Sequence, residues 1–262
     1  MNADAHVKLG ARHYDPPAVI WSMLEPARAA MEMGMLPFAA PCLGQAPRGD
    51  GHPVMVIPGF MGTDTSTAVL RAYLSALGYQ VHPWALGRNV GPRGDIEERM
   101  VERANHLAAR YERKVSLVGW SLGGIFARQI ARDIPDAIRQ VITLGSPFGS
   151  AGQGGTNKEI AELYEMLSGD MIGHAPEHVR AHHRSRPPVP CTALFSKTDG
   201  VAVWQVCTEE AGPDTDNIEV YGSHTGLGFN PLVLYAVADR LALPEDAWAP
   251  FDRGGLKALF YR

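Results

Sequence analysis

A single serine, Ser121, stands between Gly119 and Gly123 in the run LVGWSLGGIFAR at 117–128, where an apolar stretch gives way to helix-forming residues. A serine hydroxyl is a weak nucleophile at neutral pH, so a reactive serine needs a base beside it and a third group to orient that base. His224, in VYGSHTGLG, is the one histidine that lies beyond the late strand-like runs, with Gly222, Gly226 and Gly228 around it. Asp199, in CTALFSKTDGVAVW, comes three residues after the apolar run 191–196. Serine, then acid, then histidine is the chain order expected when the nucleophile sits on a G-x-S-x-G turn between a strand and a helix. The chemistry would be acyl transfer: His224 takes the Ser121 proton while Asp199 accepts the bond from the other imidazole N–H and steadies the imidazolium. Asp170, Asp214, Asp216 and Asp239 are alternative acids, but none follows a strand-like run so directly.

The two glycines have a steric purpose, because a chain reversing from strand to helix in so few residues crowds its own backbone. Held in that turn, Ser121 projects from the sheet edge beside helix N–H groups that have no intrahelical partner. Acyl transfer also needs donors for the developing oxyanion, each worth about 3 kcal/mol in the transition state. The backbone N–H of Leu122 is one, and Phe60, in the IPGFMGTD loop after the first strand, is the natural second.

These residues require a particular set of elements behind them. PVMVIPG at 53–59, YQVHPW at 79–84, KVSLVG at 114–119, RQVITLG at 139–145, CTALFS at 191–196 and NIEVYG at 217–222 read as strands. Helical spacing over 65–78, 95–111 and 122–133, and again from about 230, separates them. Short apolar strands alternating with helices imply a mostly parallel sheet of about six strands covered on both faces, a fold of the α/β class. In such a sheet the loops at the carboxyl ends of the strands converge on one edge, where ligands bind. Residues 150–189 are too long for a structureless connection and are expected to form a short helical cap, with Ile160, Leu163, Tyr164 and Leu167 on one face of a helix at 157–169. Met61, Trp120, Phe148, Val201, Trp204 and Leu227 flank the reactive positions and would supply an apolar substrate pocket, with Phe229 nearby.

Composition narrows the partners. In 262 residues there are 28 acidic residues against 24 Lys and Arg, without a basic block, which speaks against nucleic acid. Cys42, Cys191 and Cys207 have no C-x-x-C spacing, so neither a disulfide framework nor a zinc site is suggested, and reduced thiols in the cytoplasm are the plain reading. His174, His178 and His182, with His183 adjacent, repeat at helical spacing, but no carboxylate or cysteine joins them, so a solvated helix face is expected and no metal or cofactor. The apolar segment at 18–40 contains Glu25, Arg28, Glu32, Pro26 and Pro37, unlike a targeting sequence or a membrane span. A helix packed on the main domain is the principal expectation for it, and a membrane-surface contact the lesser one. Arg88 and Asn89, in HPWALGRNVGPRG, lie on a loop at the reactive edge, where they either touch substrate or simply complete a glycine-dense connection.

Together, PGF at 58–60, GWSLGG at 119–124, GSPFGS at 145–150, SKTDGVAVW at 196–204 and GSHTGLG at 222–228 resemble the bacterial lipases and esterases of the α/β-hydrolase superfamily. The resemblance covers residues 53 to about 242. It implies the α/β-hydrolase fold; the domain is read as residues 51–262, and residues 1–50, which lie outside the resemblance, as a helical extension packed on the core. It further implies hydrolysis of lipophilic carboxylic esters by Ser121, Asp199 and His224 through an acyl-enzyme. Pro58 stands where family oxyanion loops commonly carry histidine, and no HGGG is present, which speaks against bulky tertiary-alcohol esters. Two other functions fit the same residues: transfer of the acyl group to an alcohol or thiol, and binding of a lipophilic ligand without turnover.

Overall fold

A computed structural model of the chain describes residues 15–148 and 185–262. Residues 150–184 of the expected cap, with its helix at 157–169 and the histidine cluster at 174–183, lie outside the described residues, as does Asp170.

Among the described residues six strands form one sheet: β1 (Pro53–Ile57), β2 (Gln80–Pro83), β3 (Val115–Trp120), β4 (Ile138–Leu144), β5 (Cys191–Phe195) and β6 (Thr215–Glu219). Their order across the sheet is β2-β1-β3-β4-β5-β6, and every pairing is parallel. Strands β1, β4 and β5 are buried along their whole length, which is why they read as continuous apolar runs and not as alternating ones. Alternation still decides which face each side chain serves. Val54 and Val56 point into one apolar layer and Met55 and Ile57 into the other. Helices α2 (Ala68–Ala76) and α5 (Pro231–Leu241) supply Leu70, Leu74, Val233 and Leu234 to the first layer. Helices α3 (Ile96–Tyr111) and α4 (Leu122–Asp133) supply Met100, Leu107, Phe126 and Ile130 to the second.

The edge strand β6 differs from its expected position. The apolar run suggested 217–222, whereas the strand is Thr215–Glu219, half-buried with alternating exposure. Among the described strands it pairs with β5, while Glu219 exchanges backbone hydrogen bonds with Arg262 on its other side, and the inward-facing Asp216 is matched by Phe251 N–H at 2.7 Å and by Arg253 at 2.9 Å.

Before the sheet comes α1 (Val19–Leu43), which packs on α5. It packs on the main domain as expected, but not by an apolar face alone: Ala29 and Leu43 are buried, but so is Glu25, while Val19, Met23, Met31 and Phe38 are exposed. Among the described residues no helix is long and apolar enough to cross a membrane.

The strand order reverses direction between β1 and β3, since the chain steps outward from β1 to β2 and then returns to the opposite side of β1. A crevice opens at the carboxyl ends of the strands at such a switch point. The loops carrying Gly59, Ser121, Asp199 and His224 all leave that edge.

Candidate active site

Ser121 is the residue between β3 and α4, and its backbone is held at φ 53° and ψ −122°, a conformation that a residue with a side chain rarely adopts. The surroundings impose it. Ser121 N–H donates to Leu144 O at 2.8 Å, and Gly124 N–H donates to Ser121 O at 3.0 Å. A Cβ on Gly119 would overlap the backbone of Gly123, and one on Gly123 would overlap the carbonyl oxygen of Ile57. Both glycines are therefore required by close backbone approach, as the G-x-S-x-G spacing suggested. Leu122 is the first residue of α4, so its N–H has no carbonyl one turn back in the helix to bond.

The side chains that sequence spacing had singled out come together at this turn. His224 Nε2 is 3.0 Å from Ser121 Oγ, and His224 Nδ1 is 2.6 Å from Asp199 Oδ2. The other Asp199 oxygen accepts the N–H groups of Val201 at 2.8 Å and Ala202 at 2.7 Å, which fixes the carboxylate plane. Asp214, Asp216 and Asp239 are engaged elsewhere, with Arg186, Arg253 and Arg240 respectively. Burial disfavours a charge on His224, but the charge and hydrogen bond of Asp199 outweigh it, with a smaller contribution from Glu25, and the imidazole is held above its ordinary pKa. Trp120 Nε1 donates to His224 O at 3.1 Å, and Ser196 Oγ donates to Gly222 O at 2.7 Å, so the histidine loop is tied to both the serine strand and the acid loop.

Gly59 lies against the serine: a Cβ there would sit 3.2 Å from Ser121 Cβ. Phe60 follows in a turn closed by Gly62 N–H donating to Gly59 O at 2.9 Å. Asn89 holds this turn. It is fully buried, its side-chain amide donates to Pro58 O at 2.8 Å, its carbonyl oxygen accepts Met61 N–H at 2.7 Å, and its N–H donates to Gly62 O at 2.8 Å. Of the two readings left open for Asn89, the structure shows the connecting one, in a specific form: it braces the loop that carries Phe60. Asn89→Ala is expected to lower kcat about tenfold or more with little change in KM if Phe60 N–H is the oxyanion donor that the sequence suggests, because that donor matters most when charge develops. Steady-state kinetics on a soluble ester check it, and an unaltered kcat would contradict it.

The residues expected to line a pocket fall into two groups. Met61 is exposed, and Trp120, Val201 and Trp204 are half-buried around the site. Phe148 and Leu227 are inside the fold. Phe148 lies under the guanidinium of Arg128, 3.8 Å from its ring centre, and Arg128 forms an interior ion pair with Glu209. Leu227 fills the space beside Gly145, whose missing Cβ would also press on Asp199 and His224 at 3.2 Å. Gly145 has a φ of 56°.

A second Ser–His–Asp contact exists at the opposite edge of the sheet. His52 Nδ1 is 2.5 Å from Asp50 Oδ1, and His52 Nε2 is 2.8 Å from Ser116 Oγ. Distances alone therefore do not identify a reactive serine. Ser116 is fully buried within β3, in a regular strand and not on a turn, so no substrate carbonyl can reach it. Burial pushes the His52 imidazole down to about 4 despite its bond to Asp50. The unfolded chain takes up a proton near pH 6.5 that the native state refuses until about pH 4, so this group makes stability fall as pH drops through that window. The loss is expected to reach about 2 kcal/mol by pH 5. His224, with its raised pKa, contributes with the opposite sign, so the check is a comparison: urea unfolding at pH 7 and pH 5 should show a smaller loss in His52→Asn than in the natural chain. Equal losses would contradict it.

Among the described residues, no group of three or more His, Cys, Asp or Glu side chains is arranged to hold a metal ion.

No family model matches the chain. A triacylglycerol lipase of Burkholderia plantarii is 28% identical over 140 residues, which is 50% of this chain and 39% of that protein. A triacylglycerol lipase of Pseudarthrobacter phenanthrenivorans is 30% identical over 105 residues, 37% of this chain and 33% of that protein. The chain thus spans well under half the length of these curated relatives. Among solved structures, Aspergillus fumigatus lipase B aligns with a TM-score of 0.55 at 16% identity, covering 73% of this chain and 52% of that one. A pyrethroid hydrolase from Sphingobium faniae aligns with a TM-score of 0.51 at 19% identity, covering 74% of this chain and 98% of that one. The structural likenesses show a shared fold.

Proposed function

We propose that this chain, which has the α/β-hydrolase fold, is a serine hydrolase that cleaves lipophilic carboxylic esters through an acyl-enzyme. The observation that carries the reading is the joining of Ser121 Oγ, His224 and Asp199 by contacts of 3.0 and 2.6 Å on a strained strand-to-helix turn. The similarity to two triacylglycerol lipases supports ester cleavage as the reaction.

In this reading, His224 Nε2 accepts the Ser121 proton as Oγ attacks the ester carbonyl. The imidazolium is stabilised by Asp199, whose Oδ2 accepts the Nδ1–H bond. Negative charge moves onto the former carbonyl oxygen, where the N–H groups of Leu122 and Phe60 receive it. Collapse expels the alcohol, which takes its proton from His224. Water then enters, loses a proton to the same nitrogen, and releases the acid by the reverse steps. Met61, Trp120, Val201 and Trp204 form the apolar surround for the acyl or alcohol group, with Phe148 and Leu227 as its interior support. The three cysteines are free of one another, which supports a reducing, cytoplasmic setting.

Turnover of p-nitrophenyl esters of graded chain length tests the reading. Hydrolysis is expected across the short and medium members, with a preference that reports the length of the apolar surround. A folded protein that turns over none of the series would overturn it.

A further inference from the structure

A helix on a protein surface normally turns its polar side to water. Helix α1 does the reverse over its first half: Val19, Ile20 and Met23 are exposed, while Ser22, Glu25, Arg28 and Glu32 form a stripe at spacings of three, three and four residues that faces the protein. What the stripe touches is specific. Ser22 Oγ donates to Gly200 O at 2.5 Å. Arg28 donates to Thr198 O at 2.5 Å and to Thr198 Oγ1 at 2.7 Å. Glu25 Oε1 accepts the N–H groups of Gly200 and His224, each at 2.9 Å, and Glu25 Oε2 accepts Thr225 N–H at 2.8 Å. Glu32 Oε1 accepts Ser223 N–H at 2.7 Å. Every one of these bonds ends on the residues flanking Asp199 or on the segment 223–225 that carries His224.

Glu25 is the centre of the arrangement. It is 5% exposed, and burying an ionised carboxylate is costly unless donors surround it. Three backbone N–H groups do so, with Arg28 at 3.9 Å. A well-packed apolar residue would fill the same space without that cost, so the carboxylate is not there for packing. What it does that an apolar residue cannot is bridge: one oxygen binds the chain next to Asp199 and the chain at His224 simultaneously. The separation between the two loops, and with it the 2.6 Å contact between Asp199 and His224, is thereby set from a helix about 175 to 199 residues away in the sequence.

We propose that Glu25 is a positioning residue for the Asp199–His224 pair, which makes α1 a working part of the active site. The inference rests on the reading of Ser121, His224 and Asp199 as the catalytic groups. Two consequences separate it from a merely structural role. First, a loosened bridge misaligns the base when it receives the proton, so kcat falls more than KM rises. Second, Glu25 carries charge close to the imidazole. The groups facing His224 are Asp199 from the loop after β5 and Glu25 from α1, with Arg28 and Glu32 further along the same helix and the Cys207 thiol behind Asp199. Removing the Glu25 charge makes His224 easier to deprotonate, so the acid limb of the pH–rate profile moves to lower pH.

The test uses the full chain and the pH dependence of its labelling by a fluorophosphonate, beside ester kinetics, for Glu25→Gln, Glu25→Asp and Arg28→Ala. In Glu25→Gln, kcat is expected to fall about tenfold or more with KM within about threefold, and the acid limb to shift downward. Glu25→Asp keeps the charge, so it should hold the acid limb near its natural position and recover part of kcat. Arg28→Ala, which removes the bonds to Thr198 and leaves Glu25 in place, should lower kcat without a downward shift of the limb. A folded Glu25→Gln with the natural kcat and an unmoved limb would overturn the inference. Should Glu25→Gln not fold, an unchanged kcat in Arg28→Ala and Glu25→Asp alike would overturn it. Absence of Ser121 labelling in the natural chain would overturn both this inference and the reading beneath it, whereas natural labelling with indifferent Glu25 and Arg28 variants would sink this one alone.

Discussion

Ser121→Ala is expected to lower ester turnover by about 10⁴- to 10⁶-fold while leaving KM and the folded structure nearly unchanged. The hydroxyl is the only group removed. Alanine keeps the Cβ that the turn already accommodates at φ 53°, so the strained backbone is no worse off than before. The ladder bond from residue 121 to Leu144 O is made by the backbone and persists. His224 then faces a methyl group and can activate nothing but water, leaving the residual acceleration that oxyanion donors and binding provide on their own. Initial rates on a short p-nitrophenyl ester, with a thermal unfolding curve of the same preparation, check both halves. A loss of less than about 100-fold would mean that another nucleophile supports the reaction.

Asp199→Asn is expected to cost about 10³- to 10⁴-fold in kcat, and the reason is the direction of one hydrogen bond. Asp199 Oδ1 accepts two backbone N–H groups, from Val201 and Ala202, so an asparagine will keep its carbonyl oxygen there and turn its NH₂ toward His224. An NH₂ donor facing Nδ1 requires that nitrogen to be unprotonated. The proton is then on Nε2, which can no longer accept from Ser121. Loss of the carboxylate also removes the main influence that raises the His224 pKa, so the acid limb should fall as well. Rates measured from pH 5 to 9 test this. A variant within tenfold of the natural chain would show that the acid has been misassigned.

Much of this site was readable before any coordinates, and the physical reason is that strand-to-helix turns leave local marks. The G-x-S-x-G spacing reports backbone crowding between Gly119, Gly123 and Ile57, and the crowding is indeed there. The continuous apolar runs of β1, β4 and β5 reflect burial on both faces. The start of β6 is not legible as an apolar run because its inward-facing Asp216 is a carboxylate matched by Phe251 N–H and Arg253, partners that lie 35 and 37 residues further on.

What escaped is long-range and polar. Glu25 reaches Gly200 and His224 across about 175 and 199 residues, and nothing in the period of α1 says which face is covered. Its apolar composition pointed to an inward apolar face, whereas the helix is oriented by the hydrogen bonds of three charged side chains, Glu25, Arg28 and Glu32, to loops at the other end of the chain. Asn89 shows the same blindness: a glycine-rich loop looks alike whether its asparagine meets water or braces Pro58 O. The contact of Ser116 with His52 and Asp50 is the converse case, a set of residue types that imitates a site while being sealed inside a strand.

The central claim is that Ser121 alone among the serines is a base-activated nucleophile. It is tested most directly by treating the natural chain with a fluorophosphonate, weighing the intact protein and mapping the modified peptide. One adduct per chain is expected, on the peptide containing Ser121. An adduct on Ser116 or any other residue, or none on a folded chain, would contradict it.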